Sequence, residues 1–388
     1  MKILLIHTNY RLHGGEDAVV EQERELLKQN YSVEILRFQN QGGLKGALQF
    51  LGSIWNRSAA NKVKQKINEF QPDVVHVHNW HFALGPLVFR MIKNLGIPVV
   101  HTIHNFRLLC PSAILLHKGQ LFTDSLRQSF PWKAIRSKVY RSSVSQTFWL
   151  GFVIWFHKKI GTWKKIDTFV CLTPFTVNLF QQSNFGISKK KFIVKPNFTS
   201  ASEVLQSIKK ENHFLFVGRL SEEKGIEILL KAFSELPFLL KIAGDGPLKI
   251  KVVEAVKQFE NISYIGNLTN KEVKDELLKA QALIFPSVWY EAFGLVNIEA
   301  FSNGTPVLAS KIGAPESLII DGYNGFHFEP ANVEDLKEVV NHFNALSIIE
   351  KKQIGNNAFD NYKSQYSPEL QLSYFDAIYN KALRKKND

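Results

Sequence analysis

Two glutamates, Glu291 and Glu299, stand eight positions apart in YEAFGLVNIEA (residues 290–300), a stretch otherwise almost wholly apolar. On a continuous helix eight residues span about 12 Å. A carboxylate pair that cleaves a glycosidic bond with retention needs a gap of only about 5–5.5 Å. The spacing therefore speaks against a hydrolytic dyad and suits one elongated ligand touched at two places. One helix-entry glutamate and one unrelated helical glutamate remain the plainer reading. Upstream, VGRLSEEKG (217–225) sets Arg219 and Lys224 beside Gly218 and Gly225. Two cations and a glycine at the carboxyl end of a strand can clamp a diphosphate, although a solvated turn with surface charges has the same pattern. IAGDGP (242–247) is a further glycine turn of the same kind.

These residues need elements that converge on them. ALIFPS (282–287) reads as a buried strand, VWYEAFG as a loop, and LVNIEAFSNG as a helix that Gly304 stops. In open α/β sheets ligands bind beyond the carboxyl ends of strands, where helix N-termini direct free N–H groups at them. The segment Phe293, Gly294, Leu295 is thus a seat for phosphate, with Gly294 allowing close approach to the backbone.

The same strand pattern runs along the chain. Apolar runs at 2–8, 32–38, 73–79, 98–105, 167–173 and 191–197 alternate with helical stretches, and a second set follows at 214–220, 238–246, 262–268, 282–287, 305–310 and 325–330. Val/Ile-rich runs separated by helices imply parallel sheets covered on both faces. The expected organisation is an α/β chain of two doubly wound domains, 1–200 and 201–367, joined through a polar linker at 198–213. An amphipathic helix at 368–388 is expected to pack back on the core.

The 388 residues exceed one ordinary core. Two cysteines, Cys110 and Cys171, show neither metal-ligand spacing nor a disulfide framework, which fits a reducing, cytoplasmic setting. The opening MKILLIHTNYRLHGGED has too short an apolar run for a signal peptide. Net charge is +13, but residues 1–200 carry +17 and residues 201–388 carry −4, so the first half is expected to meet something anionic. Between Asp124 and Asp167 there is no acid and there are nine Lys or Arg, around FWLGFVIWF (148–156). Nine apolar residues cannot cross a bilayer, which takes about 20 in a helix. Aromatic rings flanked by cations suit an anionic membrane surface, so the region 130–165 is expected to make a peripheral contact. A buried helix between solvated basic turns is the alternative. No nucleic-acid motif accompanies the charge, and nucleic acid is not expected as a partner. His7, His76, His78, His81, His101 and His104 resemble a metal set, yet strand alternation should scatter them, and no metal site is expected.

Taken in order, HGGED (13–17), HVHN (76–79), HTIHNFRLLCP (101–111), VGRLSEEKG, AGDGP, YIGNL (264–268), PSVWYEAFGLVNIEAFSNGTPVLAS (286–310) and GAPESLIIDGYNGF (313–326) resemble the retaining glycosyltransferases of family four, over nearly the whole length. The resemblance implies the GT-B fold, two Rossmann-like domains facing across a cleft, with no metal or cofactor and a nucleotide-diphosphate sugar (UDP- or GDP-linked) as donor. It implies that Arg219 and Lys224 bind the diphosphate, that Glu291 holds donor-sugar hydroxyls beside the backbone at 292–295, and that Glu299 accepts from the ribose. Gly14 and Gly15 would face the phosphate, and His104 would lie near the reacting sugar. Many relatives carry Asp after that histidine; here it is Asn105, which puts an acid at that point in doubt. The expected function is transfer of a sugar to a lipid-linked or other saccharide acceptor in surface polysaccharide assembly, by an enzyme peripheral on the inner face of the cell membrane. A sugar-nucleotide epimerase or phosphorylase on the same fold, or a non-enzymatic basic binding protein, would share part of the pattern.

Overall fold

The computed structural model describes residues 1–10, 14–201 and 210–384. Its strands are β1 (Lys2–Asn9), β2 (Ser32–Gln39), β3 (Val74–Val77), β4 (Val99–Ile103), β5 (Leu116–His117), β6 (Gln120–Leu121), β7 (Thr168–Cys171), β8 (Phe192–Val194), β9 (His213–Val217), β10 (Leu239–Ala243), β11 (Ile262–Gly266), β12 (Ala282–Phe285), β13 (Val307–Ser310) and β14 (Gly325–Phe328). Twelve of them form two six-stranded sheets, ordered β2-β1-β3-β4-β7-β8 and β11-β10-β9-β12-β13-β14. Every pairing within these two sheets is parallel. Residues Ile3 to Ile6 and Val74, Val75 and Val77 have no solvent exposure, as expected for strands covered on both faces. The antiparallel hairpin β5–β6 lacks an apolar run long enough to be seen in the sequence.

Two compact units follow. The first comprises residues 1–115, 122–196 and 371–388; the second comprises 116–121 and 197–370. Part of the expected 198–213 linker, residues 202–209, lies outside the described residues, and His213 already begins β9.

The last helix, Pro368–Arg384, buries Phe375, Ile378, Tyr379 and Ala382. Its residues from Gln371 onward belong to the first unit. Tyr379 Oη lies 3.0 Å from His76 Nδ1 on β3, and Lys381 Nζ donates to the Phe192 carbonyl at 3.1 Å.

The aromatic stretch is part of a helix, Val144–Lys159, capped by the Ser143 hydroxyl. One side, Thr147, Leu150, Gly151, Ile154 and His157, is buried at helical spacing. Trp149 is also tied down, its Nε1 donating to the Phe50 carbonyl at 2.8 Å. Phe148, Phe152 and Trp155 lie on the more open side, where Phe130 bridges Phe148 at 6.1 Å and Trp155 at 5.6 Å between ring centroids. The buried-helix reading therefore holds for one side of the helix, while the other side is partly open.

Candidate functional site

In the second unit the turns at the carboxyl ends of β9 and β10 are built back to back. Gly218 N–H donates to the Ala243 carbonyl at 3.1 Å, and Leu220 N–H to the Asp245 carbonyl at 2.9 Å. A Cβ on Gly244 would lie 1.8 Å from the Gly218 oxygen, so the glycine of IAGDGP is required by the neighbouring VGRL turn. Arg219, at the crest, is exposed, and among the described residues its guanidinium has no hydrogen bond or ion pair.

The chain then makes a short 3-10 turn, Glu222–Lys224, and reverses at Gly225, whose φ is +71°. A Cβ there would stand 1.9 Å from the Pro286 carbonyl oxygen. This close approach delivers Lys224 to the loop after β12. Its ammonium pairs with Glu291 Oε1 and lies 5.5 Å from the Phe285 ring centroid and 5.3 Å from that of Trp289. The same Glu291 oxygen accepts from Ser287 Oγ at 3.0 Å and Trp289 Nε1 at 2.7 Å. Three donors thus converge on Oε1, while no described residue donates to Oε2. The backbone of Glu291 is seated by the loop after β13: its carbonyl accepts from Ala314 N–H at 3.0 Å, and a Cβ on Gly313 would come within 2.7 Å of its nitrogen.

Three residues on, Gly294 (φ +84°) caps the helix Leu295–Ser302. Phe293 is buried beside it. The leading N–H groups of a helix have no intrahelical acceptor; here those of Leu295 and Val296 precede the first helical bond, Asn297 N–H to the Gly294 carbonyl at 3.0 Å. Asn297 is fully buried with neither side-chain polar atom paired among the described residues. Glu299, one turn on, has its carboxyl pushed up by burial, opposed only by Lys274. Arg219, Lys224, Glu291, Gly294 and Glu299 are therefore all in the second unit, with Lys224 and Glu291 in direct contact and Gly294 and Glu299 on the adjoining helix.

In the first unit, Gly14 caps the helix Gly15–Leu27 from an extended backbone, and its N–H donates to Asp17 Oδ2 at 2.9 Å. The other oxygen of Asp17 meets His7 Nε2 at 2.8 Å, wholly buried. A Cβ on Gly14 would find nothing within 4 Å. Glu16 beside it was not singled out by sequence. Among the described residues its Oε1 is sealed from solvent without a partner, and burial, with the nearby Asp17, pushes its carboxyl up to about 8 against the pull of Arg107. Tyr10 is pushed up to about 12, again first by burial. Asn105 stands where an acid is common. Its Oδ1 accepts from Arg107 N–H at 3.1 Å, and its Nδ2 lies 3.5 Å from Tyr10 Oη.

The histidines correct one expectation. Alternation scatters only some of them: His76 and His78 share one face of the β3 segment with β4 alongside, whereas His81 packs on Tyr140 and His101 on Phe89. The rings of His76 and His78 stack at 4.3 Å, those of His78 and His104 at 5.4 Å. Glu23, His76 and His78 bring potential metal-binding atoms within 4.8 Å of one another. Those residues fit a metal poorly. Lys195 Nζ already sits 2.6 Å from Glu23 Oε1, and both His76 nitrogens are engaged, Nδ1 by Tyr379 Oη at 3.0 Å and Nε2 by Thr102 Oγ1 at 2.7 Å.

Comparison with known proteins adds a family. The profile described as glycosyl transferases group 1 matches residues 197–360, and that described as glycosyltransferase family 4 matches residues 12–203. The chain is similar to an uncharacterized glycosyltransferase of Methanocaldococcus jannaschii, 27% identical over 275 residues, 70% of this chain and 71% of that one. It is similar to the O-antigen chain mannosyltransferase RfbU of Salmonella typhimurium, 25% identical over 295 residues, 72% of this chain and 76% of the relative. Among solved structures it resembles Anabaena HepE in complex with UDP and glucose, with a TM-score of 0.66 at 18% identity, covering 98% of this chain and all (100%) of that one.

Proposed function

Because the chain belongs to the group 1, family 4 glycosyltransferases, we propose that it transfers a sugar, with retention and without a metal, from a UDP- or GDP-sugar to a lipid-linked saccharide. That a glycosyltransferase of this kind serves polysaccharide or lipopolysaccharide-type assembly is supported by its relatives. The observation that carries the finer reading is the convergence of Lys224 and Glu291 at the carboxyl ends of β9 and β12.

A sugar nucleotide is anionic at its diphosphate and rich in hydroxyls at its sugar. Lys224 lies where the two chemistries meet: its ammonium neutralises the phosphate nearest the sugar, and Glu291 keeps an oxygen for hydroxyl donors. Arg219 and the leading amides at Leu295 and Val296 add positive potential for the diphosphate. Glu299 takes the ribose hydroxyls. The C1–O bond to the leaving phosphate breaks as the acceptor oxygen bonds to C1 on the same face. The acceptor proton passes to the departing phosphate oxygen. Most of the barrier is then met by charge neutralisation and placement of the acceptor.

A lipid-linked acceptor and a peripheral position on the inner membrane face are supported by the outer side of the helix Val144–Lys159. Phe148 is 38% exposed on that side; Trp132, 55% exposed, reaches it through Phe130, and Trp55, 41% exposed, meets Phe156, with the basic residues Lys133, Arg136, Arg141, Lys158 and Lys159 close by in sequence to the helix and to Trp132. Leu108, Pro131, Gly151, Ile154, Trp155 and Lys158 line a small hollow of about 40 Å³ beside this helix. No helix among the described residues is long and apolar enough to cross a membrane.

Thermal-shift titration with UDP, GDP, ADP and their sugars tests the donor reading. Wild type should be stabilised by one uridine or guanosine series, and Lys224→Ala should lose about 10²–10³-fold in turnover while keeping its melting temperature. Absence of a response to every nucleotide would favour a non-enzymatic binding protein. Conversion of the donor without an acceptor would favour an epimerase, and dependence on free phosphate a phosphorylase.

A further inference from the structure

We propose that buried Glu23 fixes the tautomer of His104 through His78, so that His104 offers the lone pair of Nδ1 and selects a hydroxyl donor, not a phosphate oxygen, as the ligand group it faces. The last step rests on the reading that His104 lies beside the donor sugar.

The relay starts from a carboxylate that can only accept. Glu23 lies on the helix Gly15–Leu27 with its side chain 1% exposed, and its Oε1 is held by the Lys195 ammonium at 2.6 Å. Lys195 is fixed further by the Pro196 carbonyl at 3.3 Å and by the Phe375 ring at 4.7 Å. Among the described residues the other oxygen, Oε2, has no hydrogen bond of ordinary geometry, and neither has His78 Nε2. These two sealed atoms stand 3.5 Å apart. Each is the other's complement, and leaving both unmet would cost the desolvation of two buried polar groups. The proton of His78 therefore sits on Nε2, directed at Glu23.

His78 is neutral. Burial holds its imidazolium far below the usual range, helped by His76, His104, His7 and Lys195. With hydrogen on Nε2, its Nδ1 carries a lone pair, and His104 Nε2 lies 3.1 Å from that lone pair. His104 must donate. It too is held neutral, first by burial and then by His7, His101, Lys195 and His76. One proton on Nε2 leaves none on Nδ1, and no described residue hydrogen-bonds to that atom. A bare imidazole nitrogen repels phosphate oxygens and accepts from a hydroxyl. His76, with both nitrogens occupied, does not compete and keeps the His78 ring in place by stacking.

NMR of protein labelled with ¹⁵N in its histidine rings, assigned with His104→Asn, reads the tautomer directly. Wild type should show His104 protonated at Nε2 and unprotonated at Nδ1. Glu23→Gln presents an amide N–H to His78 Nε2 and should reverse both rings, moving the His104 proton to Nδ1. Since that variant strands the buried Lys195 charge, Glu23→Gln with Lys195→Met, which removes both charges, is measured beside it. Reversal should lower kcat/KM for the donor about tenfold, the worth of one hydrogen bond, with affinity for the nucleoside diphosphate alone unchanged. A wild-type His104 protonated at Nδ1, or no change of tautomer in a folded variant, overturns the relay. Stoichiometric zinc in the purified protein, removed by His76→Ala, overturns it as well. Reversal of the tautomer with unaltered donor kinetics upholds the relay and instead defeats the placement of His104 beside the sugar.

Discussion

Lys224 and Glu291 form an ion pair that a ligand must share. Exposed pairs contribute little to stability, but this one is largely enclosed, with side-chain exposures of 21% and 7%. Glu291 without Lys224 would still be met by Ser287 and Trp289, which is why loss of the lysine should spare the fold and strike turnover. Glu16 makes a different demand. Its carboxyl holds a proton up to about 8 in the folded chain, against an ordinary value of 4.5. Between these values the native state binds a proton that the unfolded chain has released. Its contribution is thus fully present below pH 4.5 and lost as pH rises through 8, at no more than about 1.4 kcal/mol per pH unit. Glu16→Gln should flatten the decline in urea midpoint between pH 5 and pH 9; identical profiles for variant and wild type would show that the carboxyl is not the source.

At the scale of elements, turns decide where the functional groups arrive. Gly225 combines a left-handed backbone with contact against Pro286 that no side chain can share. Gly225→Ala should destabilise the protein by about 1–3 kcal/mol and reduce turnover beyond that loss, since Lys224 would be withdrawn from Glu291. A melting temperature and kcat equal to wild type would contradict this. Much of the framework was legible in the sequence, because strands buried on both faces read as apolar runs and because Gly294 and Gly304 bracket the helix carrying Glu299. The strands expected at 73–79 and 98–105 end earlier, at Val77 and Ile103, because the polar residues His78, Asn79, His104 and Asn105 that follow already belong to loops. What stayed hidden depends on long-range contact. Glu23 and Lys195 are 172 positions apart yet share a hydrogen bond. Ser287 and Trp289 look like ordinary loop residues until they close on one carboxylate oxygen. The histidine stack needed the β3–β4 register, which no local period supplies.

Over the whole molecule, net positive charge is concentrated in the first 200 residues, whereas exposed large apolar side chains occur in both halves. The Trp149 indole is engaged internally, so the surface to test is the outer one. Trp132→Ser and Phe148→Ser together should weaken sedimentation with phosphatidylserine vesicles at least about tenfold, at roughly 1–2 kcal/mol for each partly inserted side chain, without lowering the melting temperature. Retained binding to vesicles of that composition would remove this surface from the membrane reading.

The terminal helix has a topological consequence. Apart from residues 116–121, the second unit is the segment 197–370, which interrupts the first like a long insertion. A cut at the boundary would therefore not yield two self-sufficient halves. The amino-terminal fragment would lack Tyr379, and with it the hydroxyl on His76 and the ring surface behind the histidine stack. The first unit is completed only when residues from Gln371 onward join it, and its histidine stack gains the Tyr379 contact at that point.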